Sequence, residues 1–234
     1  MSSVYKDFTM RDKQRDFRGV GTRMNLIIFD FDGTIVDTSE DIASAVNFAL
    51  SKVGLEPRDK DFIWKYTSDG ALQMINAILG KSNMHLNREV IKYFFQYYEK
   101  HPADHTRLKA GVRELLENTN GIKKVILSNR YKWLLEKILN ELGIREYFLE
   151  VFGADSFPKT KPDPYPLLQI INKYRSSKAD SILIGDSIND IIASKSAGIK
   201  CIIVPSRVTP IDKIKELKPF KIVNNIREAE KWIK

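Results

Sequence analysis

Cysteine occurs once in the 234 residues, at Cys201, and histidine three times, at His85, His101 and His105. One thiol cannot close an internal disulfide, and it is too few for a Cys-based zinc site. Three scattered histidines make a poor metal cage, and a Cys–His nucleophile is a weak candidate for the same reason. No apolar run approaches the roughly 18 residues that a membrane-spanning helix needs, so no membrane partner is expected. The lone thiol suits a reducing cytoplasm, the localisation expected here. Acidic residues are the minority charge, 30 against 38 basic, which leaves a formal net charge of +8. The basic residues are spread along the chain, not gathered in one patch, so the excess reads as solvated surface and no nucleic-acid partner is expected. Material for a core is plentiful. Hydrophobic residues make up 43% and aromatics 10%, which excludes global disorder. At about 150 residues per domain, the length allows one large domain or two small ones.

Residues 1–23 carry no apolar stretch of the kind a signal peptide needs. They end in the loop-like run Gly19-Val20-Gly21-Thr22-Arg23. The segment reads as a flexible N-terminal extension or an extra helix outside the core. A translation start at Met24 is the alternative.

From Asn25 the pattern becomes regular. Leu26-Ile27-Ile28-Phe29, Val125-Ile126-Leu127, Ser181-Ile182-Leu183-Ile184 and Cys201-Ile202-Ile203-Val204 are short, continuous apolar runs, each halted by a polar residue, glycine or proline. Runs of this kind fit strands buried on both faces. Helical spacing fills residues 132–142, 164–174 and 188–197, the last closed by Gly198. Strand alternating with helix reads as an α/β fold around a parallel sheet. Residues 38–108 are too many for one crossover. They begin with a capping-box pattern, Thr38 to Asp41, followed by the apolar stripe Ile42, Ala45, Val46, Ala49, Leu50 and Val53. Further helices are predicted near 59–67, 69–79 and 87–100. The segment reads as a helical domain inserted after the first strand. The residues near Asp37 and Leu108 are then candidate hinges.

In open α/β sheets ligands bind beyond the carboxyl ends of the strands, and polar residues collect at those ends here. After the first strand comes Asp30-Phe31-Asp32-Gly33-Thr34. Two carboxylates two residues apart can divide the work of nucleophile and general acid/base. After the second comes Ser128-Asn129, a hydroxyl and an amide able to hold phosphate oxygens. Gly185-Asp186-Ser187-Ile188-Asn189-Asp190 follows the third, with two aspartates four apart that suit a hard divalent cation. Between them Lys159-Thr160-Lys161-Pro162-Asp163-Pro164 offers a lysine as a point charge for phosphate.

This ordered set, covering residues 24–234, resembles the haloacid dehalogenase superfamily. The resemblance implies a Rossmann-like core built from residues 24–37 and 109–234, an α-helical cap over 38–108, and Mg²⁺-dependent phosphoryl transfer through an aspartyl-phosphate. Its implied catalytic residues are Asp30 as nucleophile, Asp32 as acid and then base, Thr34 orienting Asp32, and Ser128 and Lys161 binding the phosphoryl group. The implied phosphate-binding set adds Gly33, Thr34 and Asn129. Asp30, the Asp32 backbone carbonyl and Asp186 are implied to bind Mg²⁺, with Asp190 supporting the metal site. An acid at Asp32 favours phosphate esters over the dehalogenase and phosphonatase branches. The mutase branch resembling β-phosphoglucomutase usually carries a histidine where Ile42 stands.

Asp37–Asn47, Lys161–Leu168 and Ala193–Gly198 are similar to phosphoglycolate phosphatases. Two departures stand out: Arg130 where lysine is more usual, and Tyr66-Thr67-Ser68-Asp69-Gly70 where a Gly-rich turn is typical. In the cap, Lys65, Tyr66, Thr67 and Asp69 are the candidates to face a substrate. The expected partner is a small phosphorylated metabolite. A sugar-phosphate mutase or a pyrophosphatase on the same machinery is the enzymatic alternative, and a regulatory or binding protein the non-enzymatic one. The aromatic run Tyr93, Phe94, Phe95, Tyr97 and Tyr98 reads as cap packing, and Cys201 as an inert core residue.

Overall fold

A computed structural model describes residues 24–206 and 209–233, so the readings on the N-terminal extension lie outside the described residues. Six strands form one parallel sheet: β1 (Leu26–Phe29), β4 (Lys123–Leu127), β5 (Glu150–Phe152), β6 (Ser181–Gly185), β7 (Lys200–Ile203) and β8 (Lys221–Ile222). Their spatial order is β5-β4-β1-β6-β7-β8. Every residue of β1 is fully buried, which is why that segment reads as an unbroken apolar run. Successive side chains feed opposite layers. Ile27 and Phe29 join the core shared with the cap, and Leu26 and Ile28 join the layer of Leu167, Ile170 and Ile191. The register sets Phe29 beside both Ile126 and Ile184. The carboxyl ends of β1, β4 and β6 therefore finish level with one another.

Helices α5 (Val112–Asn118), α6 (Lys132–Glu141), α7 (Tyr165–Lys173), α8 (Ile188–Ala197) and α9 (Ile211–Glu216) accompany the sheet. The cap holds α1 (Ser39–Lys52), α2 (Lys60–Trp64), α3 (Ala71–Leu79) and α4 (Asn87–Lys100). The chain enters and leaves it through two short strands, β2 (Val36–Asp37) and β3 (Arg107–Leu108), paired antiparallel with Val36 opposite Leu108. The fold is thus α/β with an inserted helical cap.

One local expectation is corrected. Thr38 and Asp41 have capping-box spacing, yet the Thr38 side chain caps nothing. Its hydroxyl donates instead to Asp32 Oδ1 at 2.5 Å. Asp41 turns to the returning strand and accepts from His105 N, Thr106 N and Thr106 Oγ1, the last two at 2.7 and 2.6 Å. Thr106 is fully buried, and its amide and hydroxyl need an acceptor there. A capping box does form at α8, where Ser187 accepts from Asp190 N and Asp190 accepts from Ser187 N.

Candidate active site

The three level strand ends release their chains into one place, beneath the cap. Asp30 follows β1 and is 7% exposed, Asp186 follows β6 and is 6% exposed, and Asp190 lies fully buried in the first turn of α8. Carboxylate oxygens of the three lie within 4.8 Å of one another. Lys161, on the loop before α7, places Nζ 2.7 Å from Asp30 Oδ1 and 2.7 Å from Asp190 Oδ1. Burial works against the lysine cation, but Asp190 and Asp30 outweigh it and hold its pKa above the ordinary range. Burial pushes the Asp30 carboxyl up to about 7, and the Lys161 charge only partly offsets this. Burial, then the charges of Asp30 and Asp190, also holds the Asp186 carboxyl well above the usual carboxylate range. When ionised, the three buried acids outnumber the two lysines that act on them, Lys161 between Asp30 and Asp190 and Lys109 near Asp186, and a cation would balance the surplus negative charge.

The donor set fits a hard divalent ion. It is all oxygen, and Asp186 has room because Gly33 lacks a side chain. A Cβ at Gly33, whose φ is +79°, would stand 2.2 Å from Asp186 Oδ2. Asp190 is placed to support the others. Its Oδ2 accepts from Ser187 N and Ser187 Oγ at 3.0 and 2.6 Å, while its Oδ1 holds Lys161.

Above these groups a cavity of about 1020 Å³, mouth included, reaches up to the cap. Asp30, Asp32, Ser128, Asn129, Lys161 and Asp186 form its floor. Ile42, Trp64, Met74, Phe94 and Phe95 form an apolar roof, with Lys65 and Thr67 beside them.

Several residues singled out in the sequence sit differently from expectation. Thr34 donates to Asp30 Oδ2 at 3.0 Å, not to Asp32, because its position four residues on brings it back over the first carboxylate. Gly33 and Thr34 do not line the cavity. The Gly33 amide donates to Val36 O and the Thr34 amide to Phe31 O, so both close the turn. Asn129 lines the cavity, but its amide group serves the scaffold. Nδ2 donates to Ser68 O of the cap and to Lys161 O, and Oδ1 accepts from Lys161 N. Of the four cap candidates, Lys65 and Thr67 reach the cavity. Tyr66 packs edge-on against Phe62, and Asp69 accepts from Asn189 Nδ2 at 2.9 Å, which ties the cap to the core.

Arg130 belongs to the site and was legible only as a departure from lysine. Its Nε and Nη2 donate to Asp32 Oδ2 and Oδ1 at 3.0 and 2.7 Å. Cys201 is buried in β7, and burial pushes its thiol up, as suits an inert core residue. Among the described residues no helix is long and apolar enough to cross a membrane.

Residues 27–204 match the model of the haloacid dehalogenase-like hydrolases. A phosphoglycolate phosphatase of Psychrobacter arcticus is 36% identical over 186 residues, 74% of this chain and 80% of that protein. One from Nitrosospira multiformis is 31% identical over 214 residues, 88% of this chain and 94% of that protein. The solved structure of a predicted phosphoglycolate phosphatase from Haemophilus somnus superposes with a TM-score of 0.82 at 26% identity, over 90% of this chain and 98% of that one. Family model, curated relatives and solved structure agree with the strand-end acids and the inserted cap: the chain belongs to the haloacid dehalogenase-like hydrolases.

Proposed function

We propose that the site hydrolyses a small phosphomonoester in two steps, with the phosphoryl group held in between on Asp30. The observation that carries this reading is the setting of Asp30. It is a nearly buried carboxylate whose oxygens are fixed by Thr34 and Lys161, and it stands at the floor of a cavity next to a second acid, Asp32. An Asp30 oxygen attacks phosphorus and the ester P–O bond breaks. Asp32 gives its proton to the departing oxygen. Asp32, now a carboxylate, takes a proton from water as that water attacks phosphorus, the Asp30–phosphorus bond breaks, and inorganic phosphate leaves. Lys161 offsets the charge of the attacking carboxylate and the phosphoryl oxygens. Ser128, also on the cavity floor, would donate its hydroxyl to those oxygens.

Asp30 and Asp186, with the Asp32 backbone carbonyl, would hold Mg²⁺, and Asp190 would anchor Lys161 and the Ser187 turn beside it. When bound, the metal supplies the positive charge that lets a carboxylate approach a phosphate dianion.

The names of the relatives make phosphoglycolate the first substrate to test, with exposed Lys65 as the cation for its carboxylate. A second reading is favoured by the roof. Ile42, Trp64, Met74, Phe94 and Phe95 would bury an apolar leaving group better than a charged one. Phosphate release from phosphoglycolate, sugar phosphates, aryl phosphates and pyrophosphate, with and without Mg²⁺, separates the readings by kcat/KM. An isomerised product without free phosphate would replace phosphatase by mutase. A preference for pyrophosphate would replace monoester by anhydride.

A further inference from the structure

Arg130 has a defined place that the hydrolytic scheme above does not use. Its backbone is fixed: its amide donates to Ser128 Oγ at 3.2 Å, and its carbonyl accepts from Ala154 N at 2.8 Å. Gly153 makes that close approach possible, since a Cβ there would stand 2.6 Å from the Arg130 carbonyl oxygen and 2.3 Å from Lys132 N. From this anchored position the guanidinium forks onto both oxygens of Asp32, with the arginine side chain 9% and the aspartate 13% exposed. Asp32 Oδ1 also accepts from Thr38, on the passage into the cap. Two donors on one oxygen and one on the other leave the carboxylate little freedom to rotate. A fork does this where a lysine ammonium would not, because its two N–H groups match the carboxylate plane. The guanidinium carbon lies over the ring of Tyr98, 5.0 Å from its centre. Tyr98 is fully buried on cap helix α4, and Arg130 is the cation beside both its ring and its hydroxyl.

We propose that Arg130 is the positioning residue for Asp32, and that Tyr98 makes this positioning depend on the seating of α4. The carboxylate form is the one the fork grips, so Arg130 acts chiefly when Asp32 draws a proton from water. That is the second half of the reaction, the hydrolysis of phosphorylated Asp30. Because the fork rests on a cap ring, the base is aligned only while the cap is docked. The inference rests on the two-step reading above.

The test uses the full chain with Mg²⁺ and a probe whose leaving group departs without an acid, p-nitrophenyl phosphate or acetyl phosphate, whichever the wild type hydrolyses faster. Arg130→Met is expected to lower kcat about 100-fold. KM should fall in parallel, so that kcat/KM is nearly kept and the phosphorylated enzyme accumulates in acid-quenched mass spectra. Arg130→Lys should lie between the two, and Tyr98→Leu should shift the same way by a smaller factor. If Arg130→Met does not fold, the arginine-to-lysine and tyrosine variants carry the same readout. Asp32→Asn separates the failures. If it accumulates no phosphorylated enzyme, the acid/base reading falls and the inference with it. If it does while Arg130→Met and Arg130→Lys turn over like the wild type, or lose kcat/KM without accumulating phosphorylated enzyme, the positioning role is overturned. A wild type that releases phosphate from neither probe nor any phosphomonoester of the panel above overturns the phosphatase reading and this inference together.

Discussion

Lys161→Met removes the only cation bonded to Asp30 among the described residues while keeping the volume of an unbranched chain. The lysine side chain is 3% exposed, and each of its two ion pairs measures 2.7 Å, one to Asp30 and one to a fully buried Asp190. Removing one partner of a buried pair costs about 3–5 kcal/mol, because the charge left behind stays out of water. For a chain of this length each kcal/mol moves the melting temperature by about 2–4 °C, so a fall of about 10 °C is expected in EDTA. The loss should shrink when Mg²⁺ is added, since the ion supplies positive charge to the same acids, and Mg²⁺ should stabilise the variant more than the wild type. Turnover should fall by about 10²–10³ at saturating Mg²⁺, the scale for losing one preorganised electrostatic contact in a transition state. Thermal melts with and without metal, beside a phosphate-release assay, measure all three. A variant that melts within 2 °C of the wild type in EDTA would refute the claim that Lys161 neutralises this acidic cluster.

Asp41→Ala leaves the His105 and Thr106 amides and the Thr106 hydroxyl without their acceptor, and should cost about 3 kcal/mol, or about 6–12 °C of melting temperature, with Asp41→Asn costing less. Gly33→Ala would force a methyl group against Asp186 at a left-handed φ of +79°. It should weaken Mg²⁺ binding about 10- to 100-fold by calorimetry, a loss that second-layer changes at metal sites commonly bring. Asp30 has its carboxyl raised from 3.8 to about 7, so between those values the folded, metal-free protein holds a proton that the unfolded chain has released. The contribution of Asp30 to stability in EDTA should therefore decline as pH rises through this window and level off above 7. Calorimetry in buffers of different ionisation enthalpy should show Mg²⁺ uptake releasing protons at pH 6 and fewer at pH 8.

The central strands were readable because burial on both faces removes polar residues from them. Leu26–Phe29 needs no neighbour to be recognised. The edge strands β5 and β8 are three and two residues long and contain Glu150 and Lys221, so they carry no apolar run to read. The four acids could be named from order and spacing, since each follows a strand end that the topology brings level. Their partners could not. Thr34 and Thr38 both lie within six residues of Asp32, and only the turn made by Gly33 decides that the first reaches Asp30 and the second Asp32. Asp41 had the spacing of a capping residue, but its acceptor role is fixed by Thr106, sixty-five positions away. Arg130 acts across ninety-eight residues on Asp32, and its value as a fork appears only when both strand ends are in place. Sequence spacing thus revealed the groups that do chemistry, while the groups that hold them still required the fold.

Whether Asp30 carries the phosphoryl group can be read by acid-quenching the enzyme during turnover of p-nitrophenyl phosphate or acetyl phosphate with Mg²⁺ and weighing the peptide that contains Asp30. A Mg²⁺-dependent phosphoryl mass is expected on that aspartate, enriched in Asp32→Asn and absent in Asp30→Asn, which should release no phosphate. Phosphate release that persists in Asp30→Asn, or turnover with no phosphorylated peptide even in Asp32→Asn, would contradict that role of Asp30.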